Sequence, residues 1–219
     1  MRRILIAGAL WASACSSSPK SKPAPANLPP EEHPPIVVPA DPASKRTGRV
    51  SLSQLRASFP VVLGNDASGR PLTWNTSSSS SPQSGFDVYA RTLGEADFIG
   101  RTEDDRDASP IYVKFMDDAA RSGCDQVLTA DEKQNDPTRR TLLRFVSFTD
   151  TADTNSEGFR QNLAYLKLRF HGVKVTDDRQ LEALQTLFVA AGSGSSVPIK
   201  DGWRAVCVAL LMAPEFHLY

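Results

Sequence analysis

Gly202-Trp203-Arg204-Ala205-Val206-Cys207-Val208-Ala209-Leu210-Leu211 decides the fold. Trp203, Val206, Cys207, Leu210 and Leu211 recur at steps of three and four residues, the cleanest apolar stripe in the chain, and predict an amphipathic helix. Pro214 either ends that helix or opens one last turn. Upstream the same period recurs. Leu181, Leu184, Leu187, Phe188 and Ala191 share a face that stops at Gly192, with Thr176 as cap and Asp177 and Asp178 favourable at a helix N-terminus. Thr154-Asn155-Ser156-Glu157 reads as a capping box ahead of Phe159, Leu163, Leu166 and Phe170, with Gly172 as the stop.

Ser109 as cap and Pro110 in the first turn introduce another helix, with Tyr112, Phe115, Met116, Ala119 and Cys124 on one broad face. Between these helices, Arg139 to Phe148 is ambiguous: its length and Pro137 favour a short helix, and a strand remains open. Nearer the N-terminus, Ser51-Leu52-Ser53-Gln54 is a capping box, and Leu52, Leu55, Phe59 and Leu63 mark a face in which Pro60 should break or kink the helix. Residues 65 to 84, with serines from Ser77 to Ser81, read as a loop. A short helix then carries Phe86, Tyr89, Ala90 and Leu93 to a stop at Gly94. The expectation is a mostly α chain: one helical domain of five to seven helices over residues 47–219.

Two different segments precede that domain. Residues 15–46 are rich in Ser, Pro and Ala, with Pro29-Pro30 and Pro34-Pro35, and only Ile36-Val37-Val38 interrupts them. So little apolar surface predicts a disordered tether, with a ceiling on the order of 90 Å at ~3.1 Å per residue. Residues 1–14 have the order of a signal peptide: Arg2 and Arg3, an apolar run from Ile4 to Ala12, and small residues at Ala12-Ser13-Ala14. The apolar run is shorter than the ~20 residues that span a bilayer. Cys15 follows directly, and the arrangement resembles the lipobox of bacterial lipoproteins, although Ala12 stands where leucine is usual. That resemblance implies diacylglycerol on the Cys15 thiol and cleavage before it. Ser16 in place of Asp implies the outer membrane over the inner one; the periplasmic side is expected ahead of the cell surface. A plain cleaved signal is the competing reading.

The formal charge is zero, from 25 basic and 25 acidic residues, and loss of Arg2 and Arg3 makes the mature chain −2. No basic excess or stripe points to nucleic acid, and no polybasic cluster to anionic lipid. Membrane attachment would rest on acyl chains, two or three of which hold durably where one does not. With Cys15 assigned to lipid, Cys124 and Cys207 remain and can pair as a disulfide in an exported protein; two buried free thiols are the alternative.

Tyr165 to Tyr219, with LRFHGVKVTDD, LQTLF and ALLMAPEFHLY, resembles a helical module of unknown function. That module recurs in large exported proteins of planctomycetes and myxobacteria that also carry cytochrome c-like modules. Phe170, Thr176, Asp177, Asp178, Leu210, Leu211, Pro214, Glu215, Phe216 and Tyr219 stand at matching positions. The resemblance implies helices and an exported, electron-transfer-associated setting. It transfers no catalytic residue.

Candidate chemistry is sparse. Neither Cys124 nor Cys207 sits in the Cys-x-x-Cys-His sequence that attaches haem. His33 lies in the tether, and His171 and His217 lack close zinc-ligand spacing. Asp153 to Gly158 imitates the opening of a calcium loop, but Ala164 occupies the position of the bidentate glutamate. Glu103 to Asp107 reads as a solvated charge run. Gly192-Ser193-Gly194 is too short for a phosphate loop, and no Gly-x-Ser-x-Gly elbow occurs. The expectation is therefore no catalytic residue, metal or cofactor. The leading reading is a lipid-anchored envelope lipoprotein acting as an interaction or scaffold subunit with an envelope protein partner. The second reading is an accessory subunit of an exported redox or hydrolytic system.

Overall fold

Ser51 opens the first helix reciprocally: its hydroxyl accepts the Gln54 amide at 3.2 Å, and the Gln54 side chain accepts the Ser51 amide at 3.0 Å. In the computed structural model, which describes residues 48–76, 83–100 and 102–219, helix α1 spans Leu52–Leu63. The signal segment, Cys15, His33 and the tether lie outside the described residues. The described residues belong to a compact unit bounded at Lys45–Tyr219.

Of the break or kink expected at Pro60, the break does not occur: α1 continues to Leu63. Proline forfeits one intrahelical donor, but Phe59, Val62 and Leu63 are buried on either side of it. The last turn is also capped from outside, where Arg169 donates to the carbonyls of Val61 and Val62 at 3.1 and 2.7 Å.

Of the stretch expected to be a loop, residues 65–76 and 83–84 are described and carry a short two-stranded ladder, while Ser77 to Ser81 lie outside the described residues. Strands β1 (Asn75–Thr76) and β2 (Gln83–Ser84) pair antiparallel, while Leu72 and Trp74 enter the core. Trp74 stacks on Tyr89, which stacks on Phe115, and meets Phe86 edge-on. The expected short helix is one turn, α2 (Gly85–Val88), continued by turns to Gly94.

Helix α3 (Pro110–Lys133) starts as expected, with the Ser109 hydroxyl accepting the Tyr112 amide. After it, Arg139 to Phe148 is neither strand nor α-helix; a 3-10 turn at Pro137–Arg139 leads into irregular backbone. Helix α4 (Ser156–His171) is capped by Asn155, not Thr154, because Thr154 is tied back to Thr151. Gly172 closes it at φ 66°, a left-handed value that glycine adopts without penalty. In α5 (Arg179–Gly192) the N-cap is Asp178, so Thr176 is not the cap; Asp177 accepts the Arg179 amide instead.

Helix α6 (Pro198–Met212) carries the decisive stripe, and all five of its residues are buried. It packs most extensively on α5 and α3, and α7 (Pro214–His217) is the last turn that Pro214 opens. Phe159, Phe188 and Trp203 join α4, α5 and α6 in one aromatic cluster. The fold is mostly α, with seven helices and one two-stranded ladder among the described residues.

Candidate functional site

Two buried polar side chains hold the irregular Arg139 to Phe148 stretch. Asp131, on α3, accepts the amides of Thr141, Leu142 and Leu143 at 2.7, 2.7 and 2.9 Å. Asn162, on α4, accepts those of Arg144 and Phe145 and donates to the Leu142 carbonyl at 2.9 Å. Buried backbone donors need partners, and here side chains supply what a helix ladder or sheet would. Leu142, Leu143 and Val146 are thereby fixed in the core. Burial pushes the Asp131 carboxyl above its ordinary range, against the pull of the three amides and Arg140. This pair organises structure; every acceptor oxygen is occupied.

The residues singled out in the sequence fall in separate places. Cys124 and Cys207 join α3 to α6, with Sγ atoms 2.04 Å apart. His171 ends α4 and its Nε2 bonds the Leu210 carbonyl at 2.8 Å. His217 lies buried in α7, its Nε2 on the Met212 carbonyl at 3.1 Å and its Nδ1 without a protein partner. Glu157 pairs with Arg160 and Gln161. Among the described residues no three His, Cys, Asp or Glu side chains converge as a metal set.

Two grooves are lined in part by polar groups that are paired with one another. A groove of about 560 Å³ between residues 66–75 and α3 holds Arg70 and Lys133, but Asp66 binds Arg70, and Asn75 and Gln126 bind each other. A slot of about 260 Å³ between α4 and α5 has Phe159, Leu163 and Leu181 in its wall. The Arg160–Asp178 ion pair, at 2.9 Å, stands on the same lining.

The end of the domain where the first described residues meet the C-terminal turn is built differently. Gly48 and Tyr219 exchange backbone hydrogen bonds at 3.2 and 2.9 Å, and the Val50 amide donates to the His217 carbonyl. Between them Arg49 is buried at 2 % exposure. Its guanidinium donates to the carbonyls of Leu93 and Asp107 and lies 4.8 Å from the Tyr112 ring centroid. Carbonyl dipoles and an aromatic face thus stand in for a carboxylate partner. Burial in turn pushes the Tyr112 hydroxyl far above its ordinary range.

Arg49 fastens the base of a loop that runs from Gly94 to Asp107. The Asp105 amide donates to the Gly94 carbonyl at 2.9 Å, and Asp104 accepts the Ala96 amide at 2.8 Å. At the tip, Asp97 accepts the amides of Ile99 and Gly100. Phe98 sits there at φ 58°, a left-handed value costing roughly 1–2 kcal/mol for a residue with a Cβ. Phe98 is 80 % exposed and Ile99 97 %. The sequence reading passed over both; the only signal was an apolar pair inside a run of carboxylates.

Comparison with protein-family models, with curated proteins and with solved structures finds no match.

Proposed function

We propose that this chain is a bacterial envelope lipoprotein, held by diacylglycerol on Cys15 at the outer membrane and facing the periplasm. Its helical domain serves there as a non-enzymatic interaction or scaffold subunit for another envelope protein. The signal pattern ending at Ala12-Ser13-Ala14 before Cys15 supplies the anchor. The observation that carries the reading is the fastened junction. The first described residues, Gly48 to Val50, are bonded to the C-terminal turn, and the Arg49 side chain is buried beneath the loop from Gly94. An entry point locked to the C-terminal turn suits a rigid body presented to a partner. Among the described residues no helix is long and apolar enough to cross a membrane.

The test is palmitate labelling with membrane fractionation of wild type and Cys15→Ser. The reading expects label and membrane association in wild type, and loss of both in the variant. An unlabelled wild-type chain in the soluble fraction overturns it.

A further inference from the structure

We propose that Phe98 and Ile99 are the docking tip of this domain, made to enter an apolar recess with a basic rim on a different envelope protein. The inference rests on the interaction-subunit reading and names the surface and the partner chemistry. The two side chains are the most exposed large apolar residues described, and they are adjacent. They are also held out. Asp97 fixes the turn through the Ile99 and Gly100 amides, and the base of the loop is closed by Gly94–Asp105 and by Arg49. A strained backbone at an exposed aromatic persists only where its surroundings over-determine it, as functional loops do.

Charge selects the occupant. From Gly94 to Asp107 the sequence carries six carboxylates, Glu95, Asp97, Glu103, Asp104, Asp105 and Asp107, against two arginines; with Glu95 paired to Arg56, the loop stays acidic. That surround repels anionic lipid and favours a rim of Lys or Arg around a pocket for the aromatic anchor. A second copy offers no such rim in its described grooves, where Asp66 and Asp125 accompany Arg70 and Lys133.

The experiment puts p-benzoylphenylalanine at position 99 of the full-length chain in intact cells, with position 61 as control because Val61 is 73 % exposed. The protein crosslinked from position 99 is identified by mass spectrometry, purified, and titrated with the purified full-length chain. The expected result is binding that weakens at least about tenfold in Phe98→Ser/Ile99→Ser, as for a hot spot. It should also weaken in Glu103→Lys and on raising salt from about 50 to about 500 mM, and stay unchanged in Val61→Ser. Crosslinks to lipid alone, to a second copy, or equally from both positions overturn the proposal, as does affinity untouched by the double variant. A protein partner captured from position 61 but not 99 sinks this surface while leaving the interaction-subunit reading standing. A chain that captures no protein from either position sinks both.

Discussion

The Asp131 carboxylate accepts the Leu142 amide at 2.7 Å across eleven residues of sequence, and so replaces secondary structure in the stretch that follows α3. Asp131→Ala orphans three amides, two of them fully buried, at about 1–3 kcal/mol each. The expected outcome is a loss of at least about 3 kcal/mol in urea unfolding. An unchanged midpoint would mean that the stretch is held by its apolar side chains alone.

The same carboxyl sets a pH dependence. Its raised folded value means that the folded chain keeps the proton to higher pH than the unfolded chain. Its contribution is therefore full below the ordinary value of about 3.9 and declines as pH rises through the folded one. Asp150, pulled down chiefly by the Ser147 amide, acts oppositely: its contribution is present above the ordinary value and lost as pH falls through the depressed one. Subtracting the Asp131→Asn stability profile from that of wild type isolates Asp131. The difference should fall with rising pH from about pH 4; a flat difference contradicts the assignment.

Cys124 and Cys207 are separated by 83 residues. Closing so long a loop stabilises by about 4–5 kcal/mol in the chain-entropy model. Reductant, or the double substitution to alanine, should lower the urea midpoint correspondingly. Alkylation without reductant should find neither thiol free in exported protein. Two free thiols and coincident unfolding curves would be the opposite result.

Arg49→Met removes charge-assisted bonds to two carbonyls, at a cost of about 2–4 kcal/mol. Arg49→Lys should recover only part of it, since an ammonium cannot span both carbonyls and stack on Tyr112. Limited proteolysis should also cut faster near the junction in Arg49→Met. Equal stability of all three chains would show that the buried Arg49 guanidinium does not hold this end of the fold.

Gly85 lies against Trp74, and a Cβ built there falls within the indole. Gly85→Ala should cost about 1–3 kcal/mol through overpacking. Thermal denaturation checks this; a stabilised variant would contradict the described Trp74 position.

These residues also mark how far the sequence could be read. The stripe from Trp203 to Leu211 was legible because helical period and burial are local, and so was the reciprocal cap of Ser51 and Gln54. Thr154 and Thr176 failed as caps because neighbouring Asn155 and Asp178 lie at the helix starts, a one- or two-residue shift that pattern does not resolve. Leu142 and Leu143 left helix and strand both open because their amides are answered by Asp131, far back in α3. Trp74 was hidden among Gly and Ser, and Pro60 does not end α1 because burial on either side holds the helix through it. Cysteine parity pointed to the pair that lies at bonding distance. Arg49, Phe98 and Ile99 were missed, since charge predicts exposure for the first and apolarity predicts burial for the others.

The central claim is that acyl chains on one sulfur hold this helical domain at the membrane. Mass spectrometry of the N-terminal peptide from protein purified out of membranes tests it most directly. The account predicts a peptide that begins at Cys15 and carries the added mass of diacylglycerol. A peptide that begins elsewhere, or Cys15 without acyl mass, would contradict it.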